Sequence, residues 1–422
     1  MKKSIVWLRQ DLRLRDNPAL HFASQQSDQL AIVYILEEPL SKVQTWWLFQ
    51  SLQQLSLSLQ ERGQTLIFRK GNALNILNEL IAETGATSLY FNRRYEPQYS
   101  QPKLPQIEVF SYNGSLLLEP WEISPQKGSF FRIFTPFWKK ALQLIEIPPE
   151  RPIPKFPSPF NIKSDPIPES DLPDPLFSIW KPGEEGAHQH LKRFTQHSFY
   201  YPVHRDFPAK EGTSKLSPYF HFGEVSPQQI WRRIDQPVYR AELGWREFCY
   251  HLLHHFPNLP TEPFDERFKH IPWENNQAAL HAWQKGETGF PIVDAGMREL
   301  KHTGWMHNRV RMITASFLTK DLRIAWQEGE AWFWKHLIDA DLANNSANWQ
   351  WVAGCGADAA PYFRIFNPIL QGKKFDPQGE YILKWCPEYK QNPHDLYHPI
   401  VDHAQEREKT LQIFSQSIKM NL

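Results

Sequence analysis

Cysteine is scarce in this chain: the 422 residues hold three, Cys249, Cys355 and Cys386, few and far apart. That excludes a disulfide framework and fits a reducing compartment. An excess of one charge is also missing. Lys and Arg number 47 against 46 Asp and Glu, a formal charge of +1, which excludes a uniformly basic nucleic-acid binder but permits a local basic face. Long apolar runs are absent near the start, where Ile5 to Leu8, behind Lys2 and Lys3, is cut off by Arg9, Asp11 and Arg13. Neither a signal peptide nor a membrane span can be built from it, so a soluble cytoplasmic protein is expected. No GxGxxG or Walker loop follows any candidate strand, so nothing local supports a nucleotide at the usual phosphate-binding turn.

What is present is an ordinary globular composition, 41% hydrophobic and 22% charged, in a chain long enough for two domains. The first 130 residues alternate β-rich runs (Ser4–Leu8, Leu30–Leu36, Thr65–Phe68, Ser88–Phe91, Ile107–Phe110) with amphipathic stretches such as Trp47–Arg62. That rhythm predicts a parallel sheet covered by helices. Prolines then crowd the stretch from Ile147 to Pro182, among them Pro148, Pro149, Pro157, Pro173 and Pro175, which reads as an extended connector. Beyond Ala187 helical patterns and aromatic residues dominate. The expectation is an α/β plus α protein: an α/β domain at 1–130, a connector at 131–186 and an all-helical domain at 187–422.

Several motifs could carry chemistry, and each has a plainer explanation. The stretch EGTSKLS at 211–217 offers hydroxyls from Thr213, Ser214 and Ser217, successive amides and Lys215, a set that can cradle a pyrophosphate or simply cap a helix. On a helix expected from Glu242 to Leu253, Trp245, Phe248, Cys249 and Leu252 form one apolar face, which would leave Glu242 a solvated partner for Arg246. Asn308 and Met312 share a helical face, an amide beside a thioether that suits a base edge or sits above an ordinary core. Asp339, Asp341 and Asn345 could cap and turn a helix; no histidine joins the carboxylates at metal-ligand spacing. His251, His254 and His255 lie close together without a nearby Cys or acidic ligand, so no metal is expected there either. Most of the 17 tryptophans should be core, because indole buries large area.

Taken together, EGTSKLS, WREF at 245–248, TGWMHN at 303–308, and Asp339, Asp341, Asn345, Trp349 and Trp351 resemble the DNA photolyase/cryptochrome family, most closely its class I cyclobutane pyrimidine dimer photolyases. The match is tight from Tyr201 to Pro387 and looser earlier, where WLRQDLRLRDNPAL at 7–20 and RIFTPFWKKAL at 132–142 carry it. The resemblance implies a Rossmann-like antenna domain and a helical domain holding FAD, active as the reduced anion. It implies that Tyr201, Thr213, Ser214, Lys215, Leu216, Ser217, Tyr239, Arg246, Trp305, Arg311, Asp339, Ala340, Asp341 and Asn345 bind the cofactor. Arg311 would pair with Asp339, and Asn345 would face flavin nitrogen 5. Substrate would meet Glu242, Trp245, Asn308, Met312 and Trp351, with Arg205, Arg309, Arg364 and Gln371 on the DNA side. Trp349, Trp326 and Trp273 match the proximal, middle and surface members of an electron-transfer chain.

The implied reaction is light-driven: excited reduced FAD passes an electron to a flipped-out dimer, the cyclobutane ring splits and the electron returns, with the protein supplying orientation and electrostatics. Glu242 would stabilise the dimer radical anion by hydrogen bonding. The implied partner is dimer-containing DNA, met by a monomer associated with a bacterial nucleoid and not with a membrane. A cryptochrome-type blue-light receptor shares fold, flavin and tryptophans; Asn308, Met312, Asn345, Trp351 and the lack of a long signalling tail favour repair. A light-independent flavin oxidoreductase would need a nicotinamide site that is not found. Gln98 and Tyr99 stand where folate-binding members usually carry Asn-Glu, so the identity of a second, antenna chromophore stays open.

Overall fold

The computed structural model describes residues 1–38, 40–169, 179–362 and 364–419. The chain divides into two compact units that interleave along the sequence: residues 1–123, 140–196 and 214–247 form the first, and 124–139, 197–213 and 248–422 the second. The expected cuts at 130/131 and 186/187 are single points, whereas three separate stretches build each unit.

In the first unit β1 (Lys3–Leu8), β2 (Gln29–Leu36), β3 (Leu66–Lys70), β4 (Ser88–Asn92) and β5 (Glu108–Tyr112) form a sheet ordered β3-β2-β1-β4-β5 with every pair parallel. Helices α1 (Pro18–Gln26), α2 (Lys42–Gln60) and α3 (Ala73–Thr84) connect the strands. Near-continuous burial of β1 and β4 is what a sheet covered on both faces demands. The proline-rich stretch contributes β6 (Ser158–Pro159), a two-residue edge pairing with the start of β2. Pro173 and Pro175 lie outside the described residues.

The WLRQDLRLRDNPAL segment owes its character to a buried polar knot. Arg13, 1% exposed, donates to the carbonyls of Gly223 (2.8 Å), Asp16 (2.9 Å) and Gly114 (2.6 Å). Asp11 accepts from the Arg9 amide and from Asn92 Nδ2, each at 2.6 Å, and Asn17 caps α1 by accepting from the Leu20 amide. A buried guanidinium is costly unless its donors are used; carbonyls take up Nη1 and Nη2 here, while Nε has no partner among the described residues.

The second unit is helical. Its elements include α4 (Pro237–His255), shared in sequence with the first unit, then α5 (Pro291–Thr303), α6 (Asn308–Ser316), α7 (Trp326–His336), α8 (Leu342–Ala353), α9 (Pro368–Phe375) and α10 (His403–Lys419). One hydrophobic cluster, with Trp283, Phe290, Met306, Phe317, Trp326 and Trp349 among its members, organises them. Where α7 passes Trp349 only glycine fits: a Cβ on Gly329 would lie 2.1 Å from the indole. After α6 the chain runs on as a π-helical turn, Phe317–Asp321. There Lys320 Nζ donates to the Arg364 carbonyl (2.9 Å), Asp321 pairs with His403, and Arg323 pairs with Glu406 of α10. No helix among the described residues is long and apolar enough to cross a membrane.

Candidate functional site

The second unit carries a polar site around the α5–α6 turn. Helix α5 ends at Gly304 with φ of 66°, a conformation that favours glycine, and a Cβ there would lie 2.7 Å from the Ile338 side chain. The chain turns through Trp305 and Met306 to His307, whose Nδ1 caps α6 by accepting from the Arg309 amide (3.2 Å). Glu299 holds the turn from behind, accepting from the His307 amide (3.1 Å) and the Tyr381 hydroxyl (2.7 Å). The Ile338 amide donates to the Gly304 carbonyl at 2.8 Å, tying the stretch that carries both aspartates to this turn.

That link brings Arg311 to Asp339. Arg311 Nη2 donates to Asp339 Oδ2 at 2.8 Å while its Nε donates to the Met306 carbonyl at 2.7 Å. The other oxygen, Asp339 Oδ1, is buried without a hydrogen-bond partner among the described residues. Leaving a carboxylate oxygen dry and unpaired is costly, and no donor among the described residues satisfies this one. Asp341 serves differently. Its Oδ1 accepts from the Asn344 amide (2.9 Å) and Nδ2 (2.7 Å), capping α8, and its Oδ2 accepts from the Tyr250 hydroxyl. Ala340 between them is buried, and Asn345, one turn into α8, is 9% exposed and donates to the Glu330 carbonyl at 3.1 Å.

On α6 the amide of Asn308 is exposed and Met312, one turn on, is half-buried, while Val310 and Ile313 face the core. Arg309 is not a free cation: Nη2 donates to Asp206 at 2.8 Å, Nη1 reaches Met312 Sδ at 3.8 Å, and the guanidinium lies over Phe375 at 4.4 Å. Arg205 stands 5.4 Å over the ring of buried Tyr201 and 4.0 Å from Asp206. Trp305 is buried beside His307, with Arg311 5.9 Å over its ring. Thr213 and Gln371 are half-buried, and Arg364 is exposed, its carbonyl held by Lys320. Trp326 and Trp349 are buried members of the hydrophobic cluster, against which half-buried Trp273 and Trp351 pack. Trp349 meets Phe333 at 5.0 Å, and Trp273 meets Phe414 at 6.0 Å.

The remaining expected residues belong to the first unit. Lys215 adopts φ of 52° and Leu216 follows in the right-handed helical region, the alternation that turns successive amides toward one concavity. Ser214 Oγ accepts from the Tyr239 hydroxyl at 3.0 Å and from the Leu216 amide at 3.3 Å, and Ser217 opens the short helix Ser217–His221. This turn fits a diphosphate. On α4, Glu242, Trp245 and Arg246 are half-buried, and Glu242 is near enough to Tyr239 to help raise that phenol, after burial as the first cause. Arg246 Nη1 donates to the Ser115 carbonyl at 2.7 Å.

Reading the sequence missed two supports of the site. Glu247, buried next to Arg246, accepts from the amides of Leu117 (2.9 Å) and Leu118 (3.2 Å), and burial pushes its carboxyl up to about 7. Tyr250 fixes Asp341. Only its position four residues after Arg246 on α4 could have flagged Tyr250; nothing local flags Glu247. His251 is fully buried, its Nε2 accepting from the Phe131 amide at 3.1 Å. No group of three His, Cys, Asp or Glu side chains among the described residues could hold a metal ion. At the candidate antenna position Tyr99 donates to Glu38 (3.0 Å) and its ring lies under Arg94 at 3.7 Å.

The first unit carries a parallel α/β sheet and an amide turn of a size that fits a diphosphate; the second carries a buried carboxylate oxygen without a partner among the described residues. Residues 4–158 match the model of DNA photolyase, and residues 239–417 match that of the FAD binding domain of DNA photolyase, so FAD is the cofactor. The chain belongs to the DNA photolyase/cryptochrome family. It is 42% identical to the deoxyribodipyrimidine photo-lyase of Agrobacterium fabrum, with 97% of each chain covered. It is 36% identical to Cryptochrome-2 of Arabidopsis thaliana over 94% of this chain and 72% of the relative. Among solved structures, a bacterial class III photolyase from Agrobacterium tumefaciens superposes with a TM-score of 0.91 at 40% identity, covering 99% of this chain and 98% of the other.

Proposed function

We propose that this chain is a light-driven DNA repair enzyme, a deoxyribodipyrimidine photo-lyase that splits cyclobutane pyrimidine dimers, with residues 187–422 as its catalytic portion. The observation that carries this reading is the double use of α6. Arg311 on this helix holds Asp339, whose free oxygen calls for a donor from a bound ring, while Asn308 and Met312 present an accessible amide and thioether. One short helix thus serves cofactor and base recognition together.

FAD held here in its reduced form would supply light-driven one-electron chemistry for splitting the dimer, with no net change in its redox state. The chain's residues prepare that event. Ser214, Lys215, Leu216, Ser217 and Thr213 hold the diphosphate, with Tyr201 and Tyr239 beside them; Asp339, Ala340, Asp341, Asn345, Arg246, Arg311 and Trp305 hold the remainder. Asn345 is an amide, so it keeps a hydrogen bond at the ring without bringing a carboxyl proton. Glu242 and Asn308 hydrogen-bond the lesion, Trp245 and Trp351 exclude water from its faces, and Arg205, Arg309, Arg364 and Gln371 orient the strand. Because half-buried Trp273 is nearer solvent than buried Trp326 and Trp349, it is the terminus through which an external donor refills the site.

The test is blue illumination of chemically reduced protein with an oligonucleotide carrying one cis-syn thymine dimer, followed by the return of pyrimidine absorbance. The parent should restore intact thymines, and Glu242→Ala and Asn308→Ala should each lower the yield per photon while retaining FAD. Trp273→Phe should slow photoreduction of oxidised FAD by external thiols and leave repair by prereduced protein near the parental yield. A parent that binds FAD and photoreduces it but splits no dimer would be a light receptor instead.

A further inference from the structure

We infer that the turn carrying Phe199, Tyr200 and Val203 is a stacking platform for unpaired bases of a DNA strand, a contact separate from the residues that hold the lesion. The inference rests on the DNA-repair reading above. Phe199 is 81% exposed, Tyr200 54% and Val203 66%, three large apolar side chains within five residues of one helical turn. Single exposed apolar residues are ordinary on any surface, but a clustered set is not. The same turn buries Tyr201, so its inward face is already satisfied and the apolar outward face contributes nothing to the core.

The rings are arranged rather than splayed. Phe199 meets Tyr200 edge-on at 5.4 Å, and Tyr200 stacks on His204 at 5.6 Å with planes 15° apart, holding the phenol broadside. Charge selects the occupant. Arg205 follows directly, Lys210 lies 5.0 Å over Phe207, and the nearby acid, Asp206, is taken up by Arg309 at 2.8 Å. Aromatic faces in a segment that also carries Arg205 and Lys210, with Asp206 held by Arg309, suit a polyanion bearing flat apolar groups. A nucleic-acid strand with exposed bases has that chemistry, and stacking on it is indifferent to base identity. An apolar protein partner would gain nothing from the surrounding cations. Extruding a lesion supplies bases that have lost their stack, so the platform would act where the duplex is already opened.

The experiment uses the FAD-loaded protein and a Phe199→Ala, Tyr200→Ala double variant, whose positions are exposed enough to leave folding alone. Binding of a single-stranded oligonucleotide with one thymine dimer should weaken about tenfold or more, the scale of losing one or two base-aromatic stacks. The slope of affinity against salt should not change, because no phosphate contact is removed, whereas Arg205→Ala should flatten it. Repair per photon at saturating DNA should equal the parent's, and a Phe199→Trp, Tyr200→Trp variant should bind at least as tightly as the parent. Affinity within twofold of the parent in the alanine variant would overturn the platform. So would a changed oligomeric state with unchanged DNA binding, which would assign the patch to a second copy. A parent that neither binds nor repairs dimer DNA would instead remove the reading on which the platform rests.

Discussion

Two buried carboxyl groups, one in each unit, are handled in opposite ways. Glu224 in the first unit is fully buried and pairs with no cation among the described residues; one of its oxygens accepts from Trp47 Nε1 (3.0 Å), the Gly183 amide (2.9 Å) and Ser51 Oγ, and burial pushes it up to about 8. It is held as a neutral group among fixed donors, a structural solution that asks for no ligand. Asp339 in the second unit faces a guanidinium through one oxygen and leaves the other open. The orphan oxygen of Glu224 can carry a proton of its own, whereas that of Asp339 lies beside an oxygen already held by a guanidinium. Burial alone therefore does not mark a site; the proposed site rests instead on burial opposite a cation with an acceptor left over.

The sharpest way to break this comparison is Asp339→Ala. Removing one partner strands the Arg311 guanidinium, and the expected cost is about 3 kcal/mol, at the low end for a broken buried pair because Arg311 keeps some solvent access. Urea unfolding should show a lower midpoint, and the folded fraction should have lost its flavin absorbance. Retention of stoichiometric FAD would show that the open oxygen is not a cofactor contact. Gly329→Ala separates charge from packing in the same unit. Its new methyl must displace Trp349, with an expected loss of about 1–3 kcal/mol. Here folded protein should keep its FAD, and photoreduction should slow as the indole moves, read by flash absorption.

The smallest effect at neutral pH belongs to Glu224→Gln. A carboxyl whose folded value is raised from 4.5 to about 8 adds stability below about 4.5 that is lost as pH rises through 8. The difference in unfolding free energy between parent and variant should therefore shift in the variant's favour from pH 5 to pH 8.5. Glu247, raised to about 7, titrates in an overlapping window, so comparison with Glu247→Gln assigns the two contributions. A difference independent of pH would mean that Glu224 is not held neutral.

Strands β1–β5 could be read to within two residues of their observed limits, Leu66–Lys70 being expected at Thr65–Phe68, because buried parallel strands are continuous apolar runs between turns. The two-residue β6, by contrast, lies in the stretch expected as a connector. The Arg311–Asp339 pair was legible only through family resemblance, and it is present at 2.8 Å. Helix α4 begins at Pro237, five residues before its expected start, because proline suits a first helical turn where no amide donor is needed. What could not be read is what joins distant stretches. Glu247 reaches Leu117 across 130 residues, and Tyr381 reaches Glu299 across 82. Such bonds follow from how segments pack, and no periodicity or motif announces them. The two aspartates also divided their work in a way spacing could not show, since either could have capped α8.

The double duty proposed for α6 would limit how this protein can change over generations. An α-helix turns by about 100° per residue, so one residue inserted or deleted in the Trp305–His307 turn would swing Arg311 away from Asp339 and carry Asn308 and Met312 off their face together. Under the proposed roles, a lineage could not drift toward a new lesion by sliding this helix without surrendering its hold on the flavin. On that reading, altered preference would come through replacement of single side chains at 308 and 312 on a register that stays locked.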